Sequence, residues 1–271
     1  MAEDLSGKVA IVTGASQGTG RAYARALAQA GATVIATSRS MKAPGPGETA
    51  AANTLAELAD VARAAGEAIH VIACDVGVEE QIVHCMDEVI ANFGRIDILV
   101  NNAATYPEDQ AEPHYDPFGF TTEEWERYNR VNVIGPYLTI RSAAPYMIEQ
   151  RSGSIINITS GAALGNEFQA AQYGMLAYVT TKAALNRMSQ FFAVEFKEHN
   201  IAVNALCPGS VVTNSWRGVP QEMKDEMLQA GRGKLPTPEV MGPALLFLAR
   251  QTGETYSGNV LSTEDFGVSW P

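Results

Sequence analysis

The sequence predicts an α/β protein built on a doubly wound parallel sheet of about seven strands, with helices on both faces. Three observations carry this. Short apolar, β-branched runs alternate with longer amphipathic stretches along the chain, and strict β-α alternation implies a parallel sheet. The first apolar run leads directly into a glycine-rich turn that opens a helix. No linker, repeat or low-complexity block interrupts the rhythm, so residues 1–271 read as one domain.

Each element has its own cause. Lys8-Val-Ala-Ile-Val-Thr13 is continuous and β-branched, as a strand buried on both faces must be. Gly18 to Ala30 is alanine-rich and stops at Gly31, which makes it a helix with a glycine cap. Thr33 to Thr37 is the second strand. Asn53 to Ala65 is the second helix, stopped by Gly66, and Ile69 to Cys74 is the third strand. Val78 to Phe93 is a helix closed by Gly94, and Ile96 to Val100 is strand four. One long helix is expected from Thr122 to Gln150, a strand from Ser154 to Ile158, a helix from Ala177 to His199 and a strand from Ile201 to Leu206. The tail holds a helix from Pro238 to Ala249 and a short strand near Val260. Ala43 to Gly47 is a Pro-Gly loop and not a boundary, because the alternation resumes beyond it. Parallel crossovers are right-handed almost without exception, so the sheet is doubly wound.

Composition narrows the function. The chain has 19 Lys and Arg against 30 Asp and Glu, a net charge of −11. That balance argues against nucleic acid, which demands a basic surface, and against anionic lipid. No apolar run is long enough to span a bilayer, and the first residues lack a signal-peptide pattern. Cys74, Cys85 and Cys207 are sparse and odd in number, which suits a reducing cytoplasm. His70, His84, His114 and His199 are scattered with no ligand spacing, so no metal is implied. One region breaks the acidic average. From Leu5 to Gly47 there is no acid, but there are five bases: Lys8, Arg21, Arg25, Arg39 and Lys42. Arg21 and Arg25, on the first helix, are expected to face solvent.

The first strand runs into Thr13-Gly-Ala-Ser-Gln-Gly-Thr-Gly20. Glycines permit a tight turn and close backbone approach, and the helix start offers N–H groups and a positive dipole end to a pyrophosphate. Gly14, Ser16, Gln17, Gly18, Thr19 and Gly20 are therefore expected to cradle a dinucleotide, with Ser16 and Thr19 as hydroxyl donors. The spacing Gly14-x-x-x-Gly18-x-Gly20 resembles the glycine motif of the short-chain dehydrogenase/reductase family, and the resemblance extends over nearly the whole chain. It implies a Rossmann-like fold. NAD-binding folds of this kind place an acid at the end of strand two to receive the ribose. Here the strand ends Ala36-Thr37-Ser38-Arg39, with no acid nearby. Ser38 and Arg39 suit a 2′-phosphate, Arg by a forked contact, so NADP(H) is favoured and NAD(H) is the alternative. Arg39 is otherwise a solvated loop cation.

Later segments match the family in order. Asp75, with Val76 after it, stands where the family contacts adenine, though Asp75 would equally cap the helix from Val78. Asn101-Asn102-Ala103-Ala104 resembles the family's N-N-A-G, which braces the sheet and lines the cofactor. Cys207-Pro208-Gly209-Ser210-Val211-Val-Thr213 resembles the turn that holds the nicotinamide amide, which implies contacts from Pro208, Gly209, Val211 and Thr213. Tyr178 and Lys182 are four apart and share one helix face. Tyrosine is a poor acid–base group near neutrality unless a cation stabilises its phenolate. In the family such a Tyr exchanges a proton with the substrate oxygen, a Ser stabilises that oxygen, the Lys holds the ribose, and an Asn holds a relay water. The matching residues are Tyr178, Ser160, Lys182 and Asn132. Thr159 is the rival of Ser160, and Asn132 is otherwise a buried Asn that bends or caps its helix.

The departures concern substrate shape. The gap between Ser160 and Tyr178 is longer than the family's usual one. The usual spacing lands on Tyr173, but the residue four further on is Ala177 and not Lys, so Tyr178 is preferred. Ala104 replaces the usual Gly, and Asp265-Phe266-Gly267 stands where D-G-G is common. Ala104 to Glu126 holds seven acids and no Lys or Arg, as a solvated loop or as a screen against anions. The resemblance implies a lid around residues 210–236. Tyr106, Phe168, Tyr173 and Trp216 are candidate pocket residues, which points to a bulky apolar ketone or alcohol. The implied enzyme is an NADP(H)-dependent oxidoreductase. A lyase such as a dehalogenase on this fold, or an NADP(H)-binding regulator without turnover, are the alternatives. The resemblance also implies a homotetramer or homodimer built on the two long helices.

Overall fold

The structure is a computed structural model that describes residues 4–39, 41, 54–106, 118–164, 175–209, 211 and 237–271. Seven strands form one parallel sheet: β1 (Val9–Val12), β2 (Thr33–Ser38), β3 (Ile69–Ala73), β4 (Ile98–Asn101), β5 (Gly153–Ile158), β6 (Ile201–Cys207) and β7 (Val260–Ser262). Their order is β3-β2-β1-β4-β5-β6-β7, so the connection reverses between β1 and β4. In open α/β sheets ligands bind at the carboxyl ends of the strands beside such a switch point. The glycine turn leaves β1 there, and Asn101-Asn102 leaves β4 there.

The unbroken apolar runs follow from burial on both faces. Within β1, Ala10 and Val12 join one core while Val9 and Ile11 join the other. The first core packs the sheet against α1 (Gly18–Gln29), α2 (Leu55–Ala65) and α7 (Gly242–Ala249), through residues such as Tyr23, Leu27, Leu58 and Leu245. The second packs it against α3 (Glu79–Phe93), α5 (Gly135–Gln150) and α6 (Leu176–Glu195), through Ile82, Met86, Leu138 and Met147. A buried polar chain fastens that second layer. Thr139 of α5 donates to Asn101 (2.6 Å), Asn101 to Asn157 (2.9 Å), and Asn157 to Ser189 of α6 (2.8 Å). Each group is satisfied, so the chain fixes both helices against β4 and β5 without orphaned dipoles.

Two expectations need correction. The long helix from Thr122 is not continuous. It comprises α4 (Thr122–Asn129), a π turn at Arg130–Ile134 and then α5. A π turn inserts a residue into the helical ladder and re-aims a side chain, and the re-aimed segment contains Asn132. Second, the arginines of α1 are paired and not simply solvated. Arg25 forks onto Glu67 at 2.9 and 3.1 Å, and Arg21 approaches Glu57 at 3.7 Å.

Candidate active site

The glycine turn is braced from β4. Asn102 donates to the carbonyls of Thr13 (2.9 Å) and Gly14 (3.2 Å), and its Oδ1 accepts from the Thr19 hydroxyl (2.7 Å). Thr13 Oγ1 in turn accepts the N–H groups of Asn102 and Ala103, both at 3.0 Å. The loop lies flush on this brace. A Cβ on Gly20 would come within 2.4 Å of Asn102 Nδ2, and one on Gly14, whose φ is +66°, within 2.8 Å of Ala103 Cα. Thr19 therefore departs from the expectation. Its hydroxyl, foreseen as a phosphate donor, is spent on Asn102. What remains at the start of α1 is backbone: the N–H groups of Gly18, Thr19 and Gly20 have no partner among the described residues. The first turn of α1 holds no acid that would repel an anion. Donor set and dipole together fit an anion at this point.

At the end of β2, Ser38 donates to Ser16 of the glycine turn (3.3 Å). Arg39 is exposed, with no acidic partner among the described residues. Asp75 does not cap α3. Its carboxylate accepts the N–H of Gly77 (2.8 Å), while Val78 stands at the cap position without a side-chain bond. Val76 is buried and packs against Gly135 at the start of α5.

The second half of the site forms where β5 and α6 meet. Ser160 leaves β5 and lies within hydrogen-bonding reach of the Tyr178 phenol. Its rival Thr159 is turned away, buried, with its hydroxyl on the Lys182 carbonyl at 3.4 Å. Lys182 lies one turn beyond Tyr178, with its Nζ 5.7 Å from the Tyr178 ring centre and donating to the Ile158 carbonyl (2.8 Å). Both side chains are buried, and burial sets their ionisation. It pushes the Tyr178 phenol up, with Ser160 acting in the opposite sense, and pulls Lys182 down to about 8.

Asn132 is fully buried under this pair. Its Oδ1 accepts the N–H of Thr105 (2.7 Å), and its Nδ2 donates to the Thr105 carbonyl and the Thr181 hydroxyl, both at 3.0 Å. Both amide protons are thus committed, so Asn132 shapes the helix and ties elements together. At the exit of β6, the Cys207 thiol accepts the N–H of Gly209 (3.4 Å) and interacts with the Gly161 backbone next to Ser160. Burial raises that thiol to about 11. Pro208 and Gly209 follow it, and Val211 is buried in the first core.

A family model described as short chain dehydrogenase matches residues 8–224. The chain belongs to the short-chain dehydrogenase/reductase family. It is 30% identical over 262 residues to a 3-oxoacyl-(acyl-carrier-protein) reductase of Thermotoga maritima, covering 96% of this chain and 97% of that one. Among solved structures it resembles a 7α-hydroxysteroid dehydrogenase complexed with NADH and 7-oxo glycochenodeoxycholic acid, with a TM-score of 0.81 and 28% identity over 96% of this chain and 94% of that one. It also resembles a metagenomic short-chain oxidoreductase in complex with NADP, with a TM-score of 0.72 and 30% identity over 95% and 97% of the two chains. The protein is therefore an oxidoreductase of CH–OH and carbonyl groups with an NAD(P)-binding Rossmann-like sheet.

Within this short-chain dehydrogenase/reductase, Ser160, Tyr178 and Lys182 come together, and Asn132 reaches them through Thr181. The glycine turn, Ser38 and Asn102 gather at the ends of β1, β2 and β4. Ala104 is exposed beside Thr105, and Tyr106 packs on Tyr178. Phe168, Tyr173, Trp216, Thr213 and all of the expected lid but Val211 lie outside the described residues. Sequence reasoning missed Thr13, Thr105 and Thr181. Thr181 was findable: it stands three residues after Tyr178, where a threonine bonds back to the preceding turn, and its hydroxyl does donate to the Tyr178 carbonyl (2.7 Å).

Proposed function

We propose that this protein is an NADP(H)-dependent oxidoreductase that interconverts a bulky apolar ketone and its secondary alcohol. The observation that carries it is the convergence of Ser160, Tyr178 and buried Lys182 at the carboxyl end of β5. The dinucleotide, when bound, would supply or accept the hydride. Gly14, Ser16, Gln17, Gly18, Thr19 and Gly20 would hold its pyrophosphate through backbone N–H groups, Asp75 and Val76 would flank the adenine, and Asn102, Ala103 and Ala104 would line its path. Pro208, Gly209, Val211 and Thr213 would hold the nicotinamide amide.

The chain's own groups handle the proton and the oxygen. Tyr178, kept protonated by burial, donates its proton to the substrate oxygen during reduction. Ser160 donates a hydrogen bond to the same oxygen as charge develops on it. Lys182 contributes ribose contacts, and its cation favours the phenolate left on Tyr178. Asn132 keeps this helical turn in register and would serve the proton relay through its remaining lone pair or main chain. Arg39, exposed and unpaired among the described residues, supports a 2′-phosphate contact. Tyr106, Phe120, Trp125 and Tyr128 cluster with Tyr178, which supports an apolar substrate, with Phe168, Tyr173 and Trp216 as further candidate walls.

We read residues 1–271 as one domain with a lid around 210–236. Exposed Tyr137 on α5 and Phe191 and Val194 on α6 support a homotetramer or homodimer built on the two long helices. Three buried free cysteines support a cytoplasmic setting, and no described helix is long and apolar enough to cross a membrane. The test is a panel of ketones and alcohols followed at the nicotinamide absorbance with both dinucleotides. NADPH-linked reduction of bulky ketones is expected. Tyr178→Phe should abolish it while NADPH still binds. Wild-type turnover in that variant would sink the mechanism, and a preference for NADH would sink the role of Arg39.

A further inference from the structure

We propose that Tyr106 is a positioning and specificity residue of this site, held against the Tyr178 ring by Asn132 and forming the wall on which a ringed ketone rests. This deepens the reading above and rests on Tyr178 being the proton-transfer group. Tyr106 follows β4 by five residues, and its ring meets that of Tyr178 edge to face, with centroids 4.8 Å apart and planes at 78°. That geometry is the preferred one for an aromatic pair, so each ring fixes the other.

The contact is built and not incidental. Asn132 grips the N–H and carbonyl of Thr105, the residue before Tyr106. The same side chain donates to Thr181, whose hydroxyl donates to the Tyr178 carbonyl. One amide therefore joins the loop that carries Tyr106 to the helical turn that carries Tyr178. Asn132, Thr105 and Thr181 are all buried, so this junction is dry and its hydrogen bonds are costly to break. The π turn at Arg130–Ile134 supplies the reach, because it carries Asn132. Phe120, Trp125 and Tyr128 close the cluster behind, and Tyr106 itself stays partly exposed. The Tyr178 hydroxyl must touch the substrate oxygen. A ring packed on Tyr178 and still open to solvent therefore flanks the substrate's carbon skeleton, and it favours a flat or fused ring over a linear chain.

The test uses Tyr106→Phe, Tyr106→Leu and Tyr106→Ala in the full chain, assayed with NADPH on a fused-ring ketone and on a short linear ketoester. Leu and Ala should raise KM for the fused-ring ketone about 3- to 10-fold, and should lower kcat for both substrates because Tyr178 loses its stop. Phe should restore both values to near wild type. Melting temperature and NADPH binding monitor folding, and Leu, which keeps more of the apolar bulk than Ala, decides the matter if Ala does not fold. A cycle with Asn132→Ala adds a second readout: the double variant should lose no more than the worse single variant, since both act through one contact. Wild-type kinetics for Tyr106→Leu on both substrates, or strict additivity in the cycle, would overturn the proposal. An active Tyr178→Phe enzyme would instead sink the underlying reading. An inactive Tyr178→Phe beside a wild-type Tyr106→Leu would sink this inference alone.

Discussion

Asn102 offers the sharpest perturbation of the nucleotide side. One side chain makes three hydrogen bonds there, two donated to the Thr13 and Gly14 carbonyls and one accepted from Thr19. Asn102→Ala removes all three and leaves a gap beside Gly20, where an added Cβ would come within 2.4 Å of this amide. At about 1 kcal/mol for each bond, discounted because the site is only part-buried, stability should fall by about 2 kcal/mol. Asn102→Asp is the more telling variant. It keeps the acceptor for Thr19 but turns an acceptor toward two carbonyls, and it places a negative charge under the expected pyrophosphate. Its stability loss should match or exceed that of Ala, and its affinity for NADPH should fall further, by about tenfold beyond Ala, or about 1.4 kcal/mol. Urea melts give the first quantity and nicotinamide fluorescence titration the second. If Asn102→Ala melts like wild type and both variants bind NADPH within twofold of wild type, the brace does not organise the loop and the argument fails.

Other outcomes follow from single groups. Asp97, buried at the amino end of β4, accepts from Lys8, both arms of Arg95 and the Val9 N–H, and these hold its carboxyl below the usual range. Its stabilisation is therefore full above the unfolded carboxylate value of about 4 and is lost as pH falls through its folded value. Asp97→Asn should cost about 2 kcal/mol at pH 7 and flatten the acid limb of the melting curve, and an unchanged limb would refute this. Lys182, pulled down to about 8 by burial, should lose its charge as pH rises through that value in the dinucleotide-free enzyme. Dinucleotide affinity should weaken across that interval, and Lys182→Met should be weaker throughout and flat with pH. Gly20→Ala, whose Cβ would meet Asn102 and the Gly14 carbonyl at 2.4 Å each, should lower the melting temperature and dinucleotide affinity together, and normal values for both would contradict the packing.

The sheet was legible because its signals are local. A strand such as Val9–Val12 is apolar at every position, and each helix from α1 to α3 ends at or next to a glycine or a small residue. The pairing of Tyr178 with Lys182 was legible for the same reason, since helical periodicity alone puts them on one face. What escaped notice depended on contacts between distant segments. Nothing in Arg130-Val-Asn-Val-Ile134 announces a π turn; it arises where Asn132 must reach Thr105 and Thr181 at once. The Thr19 hydroxyl looked free because its partner is 83 residues away. The solvated appearance of Arg25 failed likewise, as Glu67 comes from the turn after α2, 42 residues away.

Charge is where local and distant information combine. The acid-free stretch from Leu5 to Gly47 carries five bases, of which Arg21 and Arg25 are expected from the sequence to face solvent. The fold spends three of them. Lys8 goes to Asp97, Arg21 to Glu57 and Arg25 to Glu67, each acid lying outside the stretch. Lys42 lies outside the described residues. Arg39 alone, among the described bases of the stretch, keeps its charge unpaired, and it does so at the end of β2 next to Ser38 and within one hydroxyl contact of the glycine turn. Selectivity for a 2′-phosphate would therefore rest on this one guanidinium, with Ser38 beside it. Arg39→Ala should weaken NADPH about tenfold or more, the worth of a charge-assisted hydrogen-bonded pair, and leave NADH within twofold. A loss shared equally by both dinucleotides would place Arg39 near the pyrophosphate or outside the site, and the preference for the 2′-phosphate would then have no carrier among the described residues.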